Sequence, residues 1–419
     1  LSEMKKISKL RGMQDLDPTE TRKIDFIEKS FDEIVNSYGY QEVRFPILEN
    51  TELFKRSVGN ESDIVNKEMF TFDSRSGKTM TLRPEGTAGC MRMAIDTGLI
   101  DAGQQRLTYK GPMFRYERPQ KGRSRQFQQL SIEAYGFSDS SIDLEILEIS
   151  DYLFEQLSVK KKMVLEINSI GSQNDQREYS NKLKDYFTKY KKELDEDSLK
   201  RLSKNPMRIL DSKNEDLKNI IKKAPNILDS ISKESQENFS FIKKCLNELK
   251  IDYVENPYLV RGLDYYNDIV FEWKSNSIGS QDTVCGGGRY DSLSKIIGGR
   301  EANAIGFSIG LERLSLLLED SQIPNTKSVI VVSLEDSFFL EGMRLSSLLR
   351  ETLVDYSIQY SGKDKNLKSL LKKAIKKNID FMVIIGRKEI EDKSFTLKKL
   401  ASNQELKLDN FESLIKNLK

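Results

Sequence analysis

The chain has 419 residues and not one histidine. The commonest general base near neutral pH, and the commonest metal ligand, is therefore missing. Any chemistry here runs without it. Cysteines number three, at 90, 245 and 285, with no C-x-x-C among them. An odd, widely spaced set speaks against a disulfide framework and against a structural zinc site, and fits a reducing cytosol. No apolar run of about 18 residues occurs, so no membrane span is expected. The opening LSEMKKISKLRGM lacks an apolar h-region, so no secretory signal is expected either. Met4 reads as the natural start, with Leu1 to Glu3 an extension. Glycine is absent from Ser172 to Arg261, a stretch rich in Lys, Glu, Asn and Leu.

Hydrophobic residues make up 37% and charged residues 32%, the balance of an ordered, soluble protein. The length allows two or three domains of roughly 100–200 residues. The net charge of +2 hides an asymmetry. From Lys327 onward 18 Lys+Arg face 13 Asp+Glu, whereas the remainder holds 49 against 52. A basic tail on a near-neutral body suggests a polyanionic partner, although charge alone more often marks a solvated lysine-rich surface.

Residues 22–38 carry Ile24, Ile27, Phe31, Ile34 and Val35 at helical spacing, stopped by Gly39. QEVRFPIL reads as a strand interrupted by Pro46. KTMTLRPEGTAGCMRMAIDTG reads as strand, sharp turn at Pro84, then helix. The glycine-free stretch reads as a helical insertion between two β-rich regions. LVRGLDYYNDIVFEW (259–273) and DTVCGGGRYDSL (282–293) return to strand and glycine-rich turn. ANAIGFSIGLERLSLLLED (302–320) is a strand running through Gly310 into a helix. After Pro324, strands and helices alternate as in a compact α/β domain, with a basic helix near 364–377.

Between these lies MFRYERPQKGRSRQFQQ, residues 113–129, with five cations and one acid. It reads as a hairpin: strands Met113–Glu117 and Phe127–Tyr135 joined by a basic loop. Alternation puts Arg115 and Glu117 on one face, and Gln129, Ser131 and Glu133 on one face of the second strand. Arg115, Arg123, Arg125, Arg261 and Arg313 are permanently charged forks suited to phosphate or carboxylate. Neither a P-loop nor a strand-borne G-x-G-x-x-G occurs. A nucleotide site here would use arginines on antiparallel strands.

FRYERPQKGRSRQFQQ resembles motif 2 of the class II aminoacyl-tRNA synthetases. IGFSIGLERL is similar to their motif 3, and the helix–strand–Pro segment at 22–48 to their motif 1. LVRGLDYYNDIVFEW and GGGRYD resemble the two signature motifs of histidyl-tRNA synthetases of the bacterial type, which TLRPEGTAG and RGMQDLDP also match. The three class motifs and the two signature motifs stand in order along the chain. The resemblance implies an α+β fold: an antiparallel sheet of six or seven strands flanked by helices, a helical insertion and a C-terminal α/β anticodon-binding domain. The corresponding boundaries are 1–171 and 253–324 for the catalytic core, 172–252 for the insertion and 325–419 for the anticodon-binding domain.

The resemblance further implies ATP-dependent ligation of L-histidine to tRNA(His) through histidyl-adenylate. ATP is a substrate with Mg2+, no zinc is bound, and the setting is a cytoplasmic homodimer. A carboxylate needs no deprotonation to attack the α-phosphate, so a chain without histidine can run this reaction. By the same resemblance Arg261 and Arg115 are catalytic, at the α-phosphate. Glu117 holds the adenine amino group, Phe127 stacks on adenine, Arg313 lies across from it, and Arg123 and Arg125 reach the outer phosphates. Glu85, Thr87 and Gln129 receive the histidine ammonium, and Gly86 also belongs to the histidine-binding set. Glu133, Tyr265, Tyr266 and Tyr290 surround the imidazole, with Arg261 completing the set. Arg118, Gln120 and Lys121 meet the tRNA acceptor end.

Two rivals remain: a non-catalytic synthetase-like regulatory or uncharged-tRNA-sensing protein, and a class II synthetase for threonine or proline. The intact Arg115, Arg261 and Arg313 argue against the first, and RGLDYY with Glu133 against the second. Tyr116 and Gln128 stand where the family commonly has histidine. The lack of histidine has two candidate origins: selection for synthesis of this chain during histidine starvation, or drift in a Lys- and Asn-rich composition. Under selection, a variant with histidine at 116 and 128 should accumulate less than the native chain in histidine-starved cells. Equal accumulation, measured by immunoblot, contradicts it.

Overall fold

A computed structural model describes residues 6–59, 62, 64–212, 214–279, 282–361 and 366–419. The reading of Leu1 to Glu3 and Met4 lies outside them. The chain divides into two compact units, Leu1–Ile323 and Pro324–Lys419.

The main sheet of the first unit has eight strands: β1 (Gln41–Glu42), β2 (Gln105–Phe114), β3 (Gln126–Tyr135), β4 (Val164–Ser169), β5 (Val254–Glu255), β6 (Asn267–Lys274), β7 (Thr283–Arg289) and β8 (Ala304–Gly310), beside a small sheet of Leu48–Asn50, Phe70–Asp73 and Thr79–Leu82. Their order is β1-β2-β3-β8-β7-β6-β4-β5. The six inner strands are antiparallel, and the two-residue strands β1 and β5 add parallel edges. The sheet is thus wider than six or seven strands, because two edge strands too short to show a period join it.

Alternation sends the side chains of each strand into two cores. On one face Leu130, Ile132, Ile167, Phe271, Trp273, Phe307 and Ile309 pack against Ile27 and Phe31 of the Pro18–Ser37 helix. Leu153 and Phe154 of Ser141–Gln156 and Phe239 and Ile242 of Lys233–Glu248 complete that layer. The Pro18–Ser37 helix begins earlier than its apolar period shows, because Asp17 and Glu20 close a capping box. On the other face Leu107, Tyr109, Tyr135, Val270 and Tyr290 meet Cys90 and Met91 of the Thr87–Asp96 helix. The inserted Gln173–Thr188 helix adds Tyr179, Leu183 and Phe187 there. This second face is the one that opens into a cavity.

The hairpin ladder stops at Phe114, short of Glu117. Beyond it the Tyr116 amide donates to Glu68 O (2.6 Å) and the Arg125 amide to Gly12 O (2.8 Å), so other segments take the chain out of the sheet. The glycines of CGGGRYD form no turn. They lie inside β7, and each is needed for close approach: a Cβ on Gly287 would sit 2.3 Å from Gly306 O and 2.7 Å from Phe307 Cβ.

The second unit is a five-stranded sheet in the order Ser357–Ser361, Ser328–Ser333, Phe381–Ile385, Phe395–Lys399, Gln404–Leu408. The first three are parallel and the last two form an antiparallel hairpin. The basic helix runs Leu367–Lys376; residues 364 and 365 of its sequence reading lie outside the described residues.

Gly287→Ala should destabilise the first unit by about 1–3 kcal/mol through overpacking against backbone. Urea unfolding reads this as a lowered midpoint; an unchanged midpoint contradicts the packing.

Candidate active site

The sequence places small or polar residues on the open face of the four central strands: Gln129 and Glu133 on β3, Gly306, Ser308 and Gly310 on β8, Gly286 on β7 and Glu272 on β6. With no bulky side chains there, the sheet floors a solvent-open cavity with about 150 Å3 of water-accessible space. Its lining includes Glu85, Thr87, Arg115, Glu117, Arg123, Phe127, Gln129, Arg261, Tyr265, Tyr266 and Arg313. These residues come from stretches nearly 230 positions apart in sequence, and the sheet order brings them together.

One end of the cavity is cationic. Arg115 donates Nε to Pro84 O (2.8 Å), and its guanidinium lies 5.3 Å from the Phe127 ring centre. Arg123 pairs with Glu117, and with Glu68 at 3.6 Å. Arg313 is fixed by donation to Gly122 O (2.9 Å) and Thr283 O (2.7 Å). Burial, together with the charges of Arg115 and Arg123, pulls Arg313 down to about 10. Burial likewise lowers Arg115 and Arg123 from their ordinary values. Like charges gathered in a half-dry cavity favour a polyanion, whose arrival relieves both penalties.

Arg261 stands apart from that group. Burial lowers it most, but the carboxylate of Glu272 together with Tyr266 and Tyr265 more than offsets this, leaving it above its ordinary value. The pair is direct, with the two side chains 17% and 12% exposed. Glu272 also accepts from Thr283 Oγ1 (3.0 Å) and lies 3.3 Å from Lys274. The guanidinium occupies the space over Gly286, where a Cβ would lie 2.5 Å from Nη2.

The other end is lined by carboxylates and hydroxyls. Glu85 accepts from the amides of Thr87 (2.7 Å) and Ala88 (3.0 Å), which cap the Thr87–Asp96 helix. Gln129 Oε1 is buried without a hydrogen-bond partner. Such an acceptor beside a cavity is open to a ligand donor. Glu133, 1% exposed, accepts from Thr87 Oγ1 (2.8 Å), Tyr109 (3.0 Å) and Tyr290. Burial pushes its carboxyl up to about 8. The rings of Tyr265, Tyr266 and Tyr290 cluster with centres 4.7 to 6.2 Å apart.

Four expected site residues sit elsewhere. Arg125 does not line the cavity: its guanidinium stacks 3.6 Å over the exposed Tyr116 ring, and Nε donates to Glu117 O. Gly86 turns its Cα towards Tyr109, where a Cβ would lie 2.2 Å from the ring. Glu133 and Tyr290 stand one layer behind the wall and brace Thr87, which does line it. Arg118, Gln120 and Lys121 lie exposed on the turn closed by the Gln120–Arg123 bridge. Sequence reading missed Glu272, Glu68 and Tyr109. The one signal for Glu272 was a carboxylate set among the apolar residues of DIVFEW.

A sheet of antiparallel strands carrying an arginine-lined cavity, followed by a separate α/β unit, defines a class II aminoacyl-tRNA synthetase. Residues 12–314 match the family described as histidyl-tRNA synthetase, and residues 328–418 match the anticodon binding domain. The chain therefore belongs to the histidyl-tRNA synthetase family. It is 47% identical over 406 residues to a histidine–tRNA ligase of Francisella philomiragia, covering 96% of both chains. Against that of Hydrogenovibrio crunogenus it is 43% identical, covering 99% of this chain and 98% of the other. The crystal structure of apo histidyl-tRNA synthetase from S. aureus superposes with a TM-score of 0.80 at 31% identity, over 99% of this chain and all of the other. A Bacillus halodurans protein described as an ATP phosphoribosyltransferase regulatory subunit/histidyl-tRNA synthetase shares the fold, with a TM-score of 0.67 at 22% identity over 92% of this chain.

Unfolded, the Glu133 carboxyl titrates near its ordinary 4.5; folded, near 8. The folded state holds the proton more tightly, so this contribution to stability is full below about 4.5 and is lost as pH rises through about 8. The melting temperature of the ligand-free protein should fall more steeply over that window than that of Glu133→Gln. Parallel curves contradict the buried carboxyl.

Proposed function

We infer that the chain joins L-histidine to tRNA(His) at the expense of ATP, and that Arg261 is its principal catalytic group. The observation that carries the assignment to Arg261 is a guanidinium held ready by Glu272 at the junction of the cationic and carboxylate ends. In the first step the histidine carboxylate attacks the α-phosphate, the bond to the β-phosphate breaks, and pyrophosphate leaves. In the second, the histidyl group passes from the adenylate to the terminal ribose and AMP is released. A phosphate oxygen of the adenylate serves as base there, so no protein histidine is required.

The chain's own residues then position and neutralise. Arg115 and Arg261 hold the α-phosphate oxygens as charge builds on them, and Arg123 and Arg313 meet the outer phosphates and the adenine side. Phe127 offers its ring to the base. Glu117, now paired with Arg123, exchanges that partner for the adenine amino group as Arg123 turns to phosphate. Gln129, with Glu85 and Thr87, takes the ammonium. Tyr266, beside Tyr265, takes one edge of the imidazole, and Glu133 with Tyr290 sets the polarity behind it. Matched buried polar partners of this kind discriminate against analogues by about 10⁴–10⁵. ATP brings Mg2+ on its own phosphates. Among the described residues no three His, Cys, Asp or Glu side chains are grouped to hold a metal ion.

Arg118, Gln120 and Lys121, exposed beside the cavity, suit the acceptor end of tRNA, and the basic second unit suits the anticodon loop. The same reading divides the chain into a core (1–171 and 253–324), an insertion (172–252) and an anticodon-binding part (325–419). It makes the protein a homodimer, for which the exposed Ile47, Leu48 and Phe72 give apolar surface. No helix among the described residues is long and apolar enough to cross a membrane. That and three unpaired cysteines suit a cytoplasmic setting. A regulatory, non-catalytic role is not favoured, given ligases at 43–47% identity over nearly the whole chain.

Arg261→Ala should lower the kcat of histidine-dependent pyrophosphate exchange by about 10²–10³-fold and leave histidine binding, measured by calorimetry, nearly intact. An unchanged kcat contradicts the role of Arg261. Absence of any exchange by the native protein contradicts the ligase reading itself.

A further inference from the structure

The segment from Arg261 to Tyr266 carries the proposed catalytic arginine and two pocket tyrosines, yet it belongs to no helix or strand. Much of what fixes it comes from the inserted helices. Arg208 sits in the 3-10 turn Pro206–Ile209. It donates through Nη2 to Gly262 O (3.0 Å) and Asp264 Oδ1 (2.8 Å), and through Nε to Asp264 Oδ1 (3.1 Å). Asn205 Nδ2 adds a third bond to the same carboxylate oxygen, at 3.1 Å. One planar fork thus spans both a backbone carbonyl and a side chain within three residues of Arg261.

The clasp is braced on both sides. Met207, Ile209 and Leu210 bury the turn in the second-face core, and Arg201 Nη1 donates to Arg208 O (3.1 Å). The Arg208 side chain is 11% exposed. On its far side Asp264 presses against Gly59, where a Cβ would lie 2.1 Å from Oδ2. The tyrosine end of the segment is held separately. Tyr265 and Tyr266 are buried, and Gln176 Nε2 donates to Tyr266 O (2.9 Å).

We propose that Arg208 of the insertion is a positioning residue for adenylate formation, holding the Gly262–Asp264 turn so that Arg261 stays paired with Glu272 and faces the reacting phosphate. The proposal rests on the reading of Arg261 as the group acting at phosphorus. Because the tyrosine wall has its own anchors, loss of the clasp releases the arginine and leaves the amino-acid pocket standing. The insertion is thereby part of the catalytic apparatus: its residues are absent from the sheet-floored cavity, but Arg201 and Arg208 line the adjoining space that Arg115, Glu117, Arg123 and Arg261 also face.

The test is histidine-dependent pyrophosphate exchange by Arg208→Ala, Arg261→Ala and the double variant. Arg208→Ala should lower kcat by about 10–100-fold, as a displacement near 1 Å does, with the KM for histidine within about threefold of native. In the Arg261→Ala background the same substitution should cost nothing further. Arg208→Lys, which keeps the charge and loses the fork, should recover only part of the rate. An unchanged kcat in Arg208→Ala beside a strongly impaired Arg261→Ala overturns the clasp alone. Equal fold-losses in both backgrounds also overturn it, since general loosening of the insertion acts without Arg261. An unimpaired Arg261→Ala removes the underlying reading, and the proposal with it. Asp264→Asn leaves the core of the insertion untouched and should show the same pattern at smaller amplitude; no effect there counts against the clasp even where Arg208→Ala fails to fold.

Discussion

The ion pair between Arg261 and Glu272 is the constraint around which the first unit is arranged. A buried guanidinium without a partner costs several kcal/mol. Glu272 offsets much of that cost, although Arg261 Nε stays buried without a hydrogen-bond partner, and Thr283 and Lys274 satisfy what remains of the carboxylate. The pair exists in this position because β7 passes beneath it with no side chain at Gly286. A glycine-bearing strand in the middle of a sheet is intrinsically weak. Here it is stabilised by the packing of Phe271 and Phe307 on its other face.

The second requirement is a cavity that tolerates its own charge when empty. Arg115 and Arg123 lie close enough to depress Arg313, and Arg115 to depress Arg123, while Glu117 and Glu68 partly neutralise them. An arrangement of this kind is reorganised little when phosphate replaces the carboxylate partners, and fixed dipoles and charges of that sort account for much of enzymatic rate enhancement. It also explains how a chain without histidine manages. Its substrate brings the nucleophile, the adenylate brings the base, and the protein supplies position and charge.

Much of this was legible in the sequence, and the rest failed for identifiable reasons. Arg115, Glu85, Thr87, Gln129, Arg261 and Arg313 sit in stretches whose order along the chain is distinctive, and the sheet gathers them. Two-residue strands such as Gln41–Glu42 carry too little pattern to be seen. Three consecutive glycines suggest a turn by composition, and only the neighbours Gly306 and Phe307, brought by another strand, show why a strand needs them. Arg125 was one cation among five; nothing local announced that Gly12 and Tyr116 would draw it out of the cavity. Arg208 had no signal at all, because its partners lie 54 and 56 residues away.

The central claim, that catalysis depends on a guanidinium held in place over Gly286, is tested most directly by the single-turnover rate of histidyl-adenylate formation in Gly286→Ala. The position has ordinary strand backbone, and the nearest atoms the added methyl would meet belong to the far end of the Arg261 side chain, with Nη2 at 2.5 Å and Nη1 at 2.6 Å. The variant should therefore fold and bind histidine, while adenylate formation slows by about 10–100-fold as the charge is displaced. A native rate of adenylate formation in that variant would contradict the account.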